Sequence, residues 1–125
     1  MQDSTDIKSI NLKEKASLIQ DHWNPHIIAE LNGQHVKLAK IQGEFVWHKH
    51  DEEDEMFMVL SGLMQIELRD KTITIHPNEI VVIPKGIEHK PQALEETTIL
   101  LFEPATTINT GDQVSTFTKL NLNKI

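Results

Sequence analysis

The residues able to do chemistry concentrate in one stretch, Gly43-Glu44-Phe45-Val46-Trp47-His48-Lys49-His50-Asp51-Glu52-Glu53-Asp54-Glu55. In an extended strand residues i and i+2 share a face, so His48 and His50 present their imidazoles to the same side. Two histidines placed this way form a preorganised bidentate site. If the acidic loop Asp51–Asp54 turns the chain, Glu55 enters the next strand beside them, with Phe57 and Val59 on its face. A further ligand is offered by His89, which follows the Pro84-Lys85-Gly86 turn. Three imidazole nitrogens and one carboxylate oxygen suit Mn, Fe(II), Co, Ni or Zn, and leave positions for water or substrate. The unbroken acids Asp51–Glu55 are costly beside an apolar strand unless a cation compensates them. Asp54 competes with Glu55 as the carboxylate.

The other histidines, His22, His26, His35 and His76, lack ligand spacing to one another and read as structural or surface groups. Phe45 and Trp47 fall on the strand parity opposite the histidines and read as core or subunit packing. Met56, Met58 and Leu60 likewise read as a packing surface. Lys85 and Glu88 flank the turn before His89 and read as solvated. No Ser-His-Asp set, phosphate loop or dinucleotide fingerprint is present.

These residues need a scaffold of short strands. His26–Leu31 and Gln34–Ile41 flank Asn32-Gly33, the pair best suited to a tight type I′ hairpin. Glu44–His50 follows Gly43 as an extended run, and Met56–Leu60 leads into the turn Ser61-Gly62. Leu63–Leu68 alternates, with Met64, Ile66 and Leu68 on one face; Thr72–His76 alternates after Arg69-Asp70-Lys71. Glu79–Ile83 and Thr98–Phe102 are apolar runs suited to buried strands. One helix is expected at about 11–20, capped by Asn11 with Glu14 in the capping-box position, and Asn24-Pro25 closes that region. Many short strands with a single helix argue for an all-β sandwich or barrel.

A chain of 125 residues makes one domain with enough buried surface to need no staples. We expect a barrel core at about 26–103, the helix before it and a C-terminal tail at about 104–125. The absence of cysteine excludes thiol nucleophiles, cysteine zinc sites and a disulfide framework, and fits a cytoplasmic protein. A formal charge of −7 disfavours nucleic acid and anionic membranes as partners. No apolar run approaches the roughly 20 residues of a spanning helix. The start, Met1-Gln2-Asp3-Ser4-Thr5-Asp6, is acidic and polar, unlike a signal peptide.

The pattern His48-x-His50-x4-Glu55-x6-Gly62 followed by Pro84-x-Gly86-x2-His89 resembles the two motifs of the cupin superfamily. Gly43–His48, Asp54-Glu55, Val82–Gly86, Glu103-Pro104 and Asn109-Thr110-Gly111-Asp112 further resemble small cupins loosely labelled mannose-6-phosphate isomerase-like. The resemblance implies a jelly-roll barrel holding one divalent transition metal with His48, His50, Glu55 and His89, and its spacing selects Glu55 over Asp54. The chain departs from the pattern in three places: four residues rather than five separate Gly43 from His48, Asn78 stands for a glycine, and Ala93 for an asparagine.

The leading expectation is a metal-dependent enzyme acting on a small polar metabolite. A non-catalytic binding or sensing module is the alternative, as is a metal-free sugar isomerase- or epimerase-like barrel with His48 or His50 as general base. A homodimer is expected through the outward Met56, Met58 and Leu60 with Phe45 and Trp47. The barrel lining is expected from Val46, Phe57, Val59 and Phe102. With Arg69 the sole arginine, and in a turn, the ligand is expected to be a small neutral or singly charged oxygen-bearing molecule rather than a sugar phosphate.

Overall fold

A computed structural model of the chain describes residues 6–125. Residues 1–5, which carry most of the segment read as unlike a signal peptide, lie outside the described residues. No helix among the described residues is long and apolar enough to cross a membrane.

The helix, α1, spans Leu12–Ala16, and the Asn11 side chain accepts the Glu14 N–H at 2.9 Å as its N-cap. It is shorter than expected. The Ser17 hydroxyl donates to the Glu14 carbonyl, and tighter i→i+3 bonds from Leu18 and Ile19 then bring Ile19 into the core.

The remaining elements are β1 (His26–Leu31), β2 (Gln34–Glu44), β3 (Glu55–Ser61), β4 (Met64–Glu67), β5 (Thr72–Ile75), β6 (Ile80–Ile83) and β7 (Lys90–Pro104). The β1–β2 connection is the expected tight turn, with φ of 50° at Asn32 and 75° at Gly33, and Leu31 paired with Gln34. Asn78, standing where a glycine was expected, adopts a left-handed φ of 69°, which asparagine tolerates.

The sheet order is β1-β2-β7-β3-β6, with β4 joining β5 to β7. β7 holds the architecture together. Its first residues pair with β4 (Pro91 opposite Ile66), and its later ones run between β2 and β3 (Leu101 opposite Lys37 and Phe57). One bent strand thus serves both faces of an all-β jelly-roll barrel. The interior is apolar: Ala39 and Ile41 from β2, Phe57 and Val59 from β3, Met64 and Ile66 from β4, Ile99 and Leu101 from β7. Each large side chain among them contributes about 1.5–3 kcal/mol by leaving water.

Two expectations about β2 change. Gly43 was expected to end the strand, but β2 continues through it to Glu44, with a register shift between Ile41 and Gly43. The extra residues lie on β7, where Thr97 to Ala93 spans four positions against two on β2, so side-chain parity along β2 is kept. Phe45 continues the inward parity of Ala39 and Ile41 and lies inside, 8% exposed, instead of sharing an outward face with Trp47. The segment beyond β7 packs on the barrel. The Asp112 N–H reaches the Lys49 carbonyl at 3.0 Å, the Phe117 ring lies 5.2 Å from Phe45, and the Ile125 N–H donates to Ile27.

Candidate metal centre

Two irregular segments, residues 45–50 and 84–89, run side by side and carry the histidines. The His48 and His89 backbones exchange hydrogen bonds of 3.1 and 2.9 Å, and the Gly86 N–H donates to the His50 carbonyl at 2.7 Å. Glu55, at the start of β3, points into the same space. The ligand-capable atoms of His48, His50, Glu55 and His89 lie within 4.8 Å of one another, and all four residues are at most 4% exposed.

Local backbone sets the imidazole orientation. Nδ1–H of His48 donates to the Val46 carbonyl at 2.8 Å, and Nδ1–H of His89 to Ile87 at 2.9 Å. Each ring thereby leaves its Nε2 lone pair facing the cluster. Nε2 of His50 and of His89 each stand 3.3 Å from the same Glu55 oxygen, Oε1. These three atoms are sealed from solvent and have no hydrogen-bond partner among the described residues. An unsatisfied buried polar atom costs about 1–3 kcal/mol, so several converging on one point call for a shared partner. A cation satisfies all of them at once, and a neutral nitrogen-plus-carboxylate set suits a transition metal.

The electrostatics agree. Burial, aided by the neighbouring His89, lowers the His48 pKa to about 4, so that ring is neutral at physiological pH. Burial opposes charge on His50 too, but the adjoining Glu55 carboxylate outweighs it and raises the pKa above 6.5. Burial also works against the Glu55 charge, yet the neighbouring Glu103, His50 and His89 side chains hold its pKa well below the ordinary carboxylate value. Burial and the Glu55 charge push the Glu103 carboxyl well above that value, against the pull of the Lys37 ammonium.

A narrow interior cavity of about 40 Å³ adjoins the cluster, lined by Trp23, Phe45, Phe57, Met64 and Leu101 with the carboxyl groups of Glu55 and Glu103. Trp23 stacks on Phe45 at 4.7 Å, and Phe45 meets the His48 ring edge-on at 5.4 Å. Of the expected lining, Phe57 faces this cavity, Val59 is fully buried in the core and Val46 packs against that core half-buried. Phe102 does not line it. The inner residues of β7 are Ile99, Leu101 and Glu103, so parity places Phe102 on the outer face.

The remaining candidates lie elsewhere. Asp54 Oδ1 accepts the Lys85 N–H at 2.9 Å and shapes the turn before His89. His22 pairs with Glu96, His76 with Glu79, and His35 lies 3.5 Å from Glu30, while the His26 ring bonds the Asn24 carbonyl. Lys85 and Glu88 are exposed. Trp47 packs beneath the Arg69 guanidinium, 3.8 Å from its ring centre. Sequence reasoning passed over Trp23, Lys37 and a role for Glu103. The legible signal was a charged residue on an apolar parity: Lys37 with Ala39 and Ile41, Glu103 with Ile99 and Leu101.

Comparison with known proteins agrees with this geometry. The cupin domain model matches residues 34–103. The uncharacterized protein YdbB of Bacillus subtilis is 35% identical over 97 residues, covering 77% of this chain and 86% of that protein. The crystal structure of a cupin-2 domain containing protein from Shewanella frigidimarina superposes with a TM-score of 0.75 at 52% identity, covering 76% of this chain and 93% of that one. A Neisseria meningitidis protein of solved structure gives 0.72 at 30% identity, covering 78% of this chain and all of its own. The match of motif, barrel and family model over most of the chain establishes that this protein belongs to the cupin family.

Proposed function

We propose that this cupin binds one divalent transition metal per chain through His48, His50, Glu55 and His89, and acts as a metal-dependent enzyme on a small polar metabolite. The observation that carries the reading is the convergence of buried, unpartnered donor atoms from His50, Glu55 and His89 on one point. A bound metal would supply Lewis acidity toward an oxygen of the ligand. The chain's own residues do the rest: Trp23, Phe45 and Phe57 exclude water beside the cluster, and carbonyl-anchored His48 and His89 hold their donors in place.

The charge distribution favours a neutral or singly charged oxygen-bearing ligand. Arg69 is tied to Glu88 outside the barrel, Lys37 to Glu103 within it, and Lys85 is exposed, so among the described residues no free guanidinium or ammonium lines the cavity. The isomerase-like label therefore finds no support in the lining. Met56, Met58 and Leu60 on the outer face of β3, beside the exposed Ile80 and Val82 of β6, support pairing of two copies through that face. Phe45 takes no part in that face. Light scattering should give about twice the 14.3 kDa chain mass, and the chain mass itself would overturn the dimer. A cytoplasmic setting rests on the lack of cysteine alone.

Metal analysis of protein purified without a histidine tag tests the reading: about one transition metal per chain is expected. Protein that neither retains nor takes up metal would overturn it. Titration with mannose 6-phosphate should show no metal-dependent binding; tight binding that needs the metal would refute the charge argument.

A further inference from the structure

Lys37 and Glu103 are buried charged residues that the proposed chemistry does not use. Each is 2% exposed, and Lys37 Nζ donates to Glu103 Oε1 at 2.8 Å. The ladders explain the meeting. β2 and β7 pair His35 with Glu103 and Lys37 with Leu101, making Lys37 a diagonal neighbour of Glu103. β3 and β7 pair Met56 with Phe102 and Phe57 with Leu101, so Glu55 and Glu103 form the next opposite pair on the inner face. One row of polar groups thus crosses three adjacent strands, from Lys37 through Glu103 to a member of the metal cluster. Facing carboxyl groups in a dry interior repel unless something orders them. Lys37 engages one Glu103 oxygen and leaves the other, Oε2, sealed from solvent without a hydrogen-bond partner among the described residues, while Glu55 and Glu103 both face the interior cavity.

We infer that Lys37 and Glu103 are positioning residues: they form a buried brace that fixes the Glu55 carboxyl, so that metal affinity and coordination depend on two side chains that do not touch the metal. The inference rests on the metal-site reading above. Groups that hold a ligating carboxylate in place typically govern affinity as strongly as this requires. Unlike His48 and His89, whose rings are anchored to backbone carbonyls, Glu55 has no such ordering contact, and the brace supplies its counterpart.

The test uses chelator competition for zinc, the visible absorption of the cobalt(II)-loaded protein, and urea unfolding of the metal-free protein. Glu103→Leu should weaken zinc binding by about 10–100-fold and shift the cobalt bands. Glu103→Gln should stay close to wild type, because its amide accepts from Lys37 and donates toward Glu55. Lys37→Met/Glu103→Leu removes both charges together and should keep the fold stable, since replacing a whole buried pair by apolar groups is often neutral or stabilising. That double variant should still lose zinc affinity as Glu103→Leu does. Wild-type affinity and cobalt bands in the folded double variant would overturn the brace, as would equal losses in Glu103→Gln and Glu103→Leu. A wild-type protein that binds no metal would overturn both the brace and the site.

Discussion

The two halves of the metal cluster are placed by different physics. Glu55 sits on β3 and is located by continuous ladders reaching through β7 to β2. The histidines sit on segments outside the long strands, held by a few backbone bonds and, for His48 and His89, by carbonyl acceptors two residues away in sequence. A register-placed group inherits the stability of the whole sheet. A loop-placed group depends on its immediate neighbours, and local changes reach it first. The cluster thus takes three donors from irregular segments and one from the sheet.

The largest expected effect removes the loop-placed half. The double variant His48→Ala/His50→Ala should bind no stoichiometric metal, as measured by elemental analysis after dialysis. The barrel should still fold, because its ladders do not pass through these side chains. One metal per chain retained in this variant would refute the site outright.

Matched glycine substitutions separate the halves. A Cβ at Gly111, where φ is +56°, would lie 3.1 Å from the His48 ring and 2.9 Å from the Lys49 carbonyl carbon. A Cβ at Gly62, where φ is +93°, would lie 2.9 Å from Thr97 Cα, in a turn bracketed by the Thr97 hydroxyl. Alanine at either site should cost about 1–3 kcal/mol in urea unfolding of the metal-free protein. Only Gly111→Ala should also weaken metal binding, because only it displaces a histidine-bearing segment. Equal losses of metal affinity in the two variants would show that the halves are not independent.

Protonation gives a subtler contrast within the loop-placed half. Histidine binds metal only when neutral. The His50 pKa is raised above 6.5, so falling pH protonates this ring first and lowers apparent affinity about tenfold per pH unit. His48, with a pKa of about 4, adds a second proton only near that pH. A zinc-affinity series against pH should therefore already be falling by about pH 6 and steepen again near pH 4 as His48 takes up its proton. A curve with no further steepening near pH 4 would contradict the unequal roles of His50 and His48.

The same division explains what could be read from the sequence. Asn32-Gly33 announced its turn because only residues tolerant of positive φ fit there, and the Met64/Ile66 alternation announced its inner face. The donor spacing drew attention to the four residues that the fold gathers. Parity failed where a strand was read as broken or the inner face was unknown. Reading Gly43 as a break hid that Phe45 keeps the inward parity of Ile41, and an alternating run such as Ile99–Phe102 does not itself say which set faces the barrel. The exposed Leu94-Glu95-Glu96 obscured the first part of β7, so the strand ran much longer than its apolar core suggested. Lys37 and Glu103 were legible only as charges on an apolar face, and their meeting depends on a cross-strand register that composition does not carry.

The smallest expected effect concerns the outside of the loop-placed half. The Arg69 guanidinium covers Trp47 at 3.8 Å and reaches the Glu88 carboxylate at 3.3 and 3.4 Å, linking the two histidine-bearing segments across their solvent side. Both ion-pair partners are at least half exposed, so water and salt screen the charge attraction. What remains is mainly the contact with the indole face, worth about 0.5–1 kcal/mol at an exposed site. Arg69→Ala should therefore lower the stability of the metal-free protein by about 1 kcal/mol or less, with little dependence on added salt. Arg69→Lys should recover only part of this, since lysine lacks the planar group that stacks on the ring. Neither change should alter zinc affinity, because His48 and His89 are also joined by their own backbone bonds inside the barrel. A substantial fall in zinc affinity in Arg69→Ala would mean that the outer clasp, and not the paired backbones, sets the spacing of the histidines.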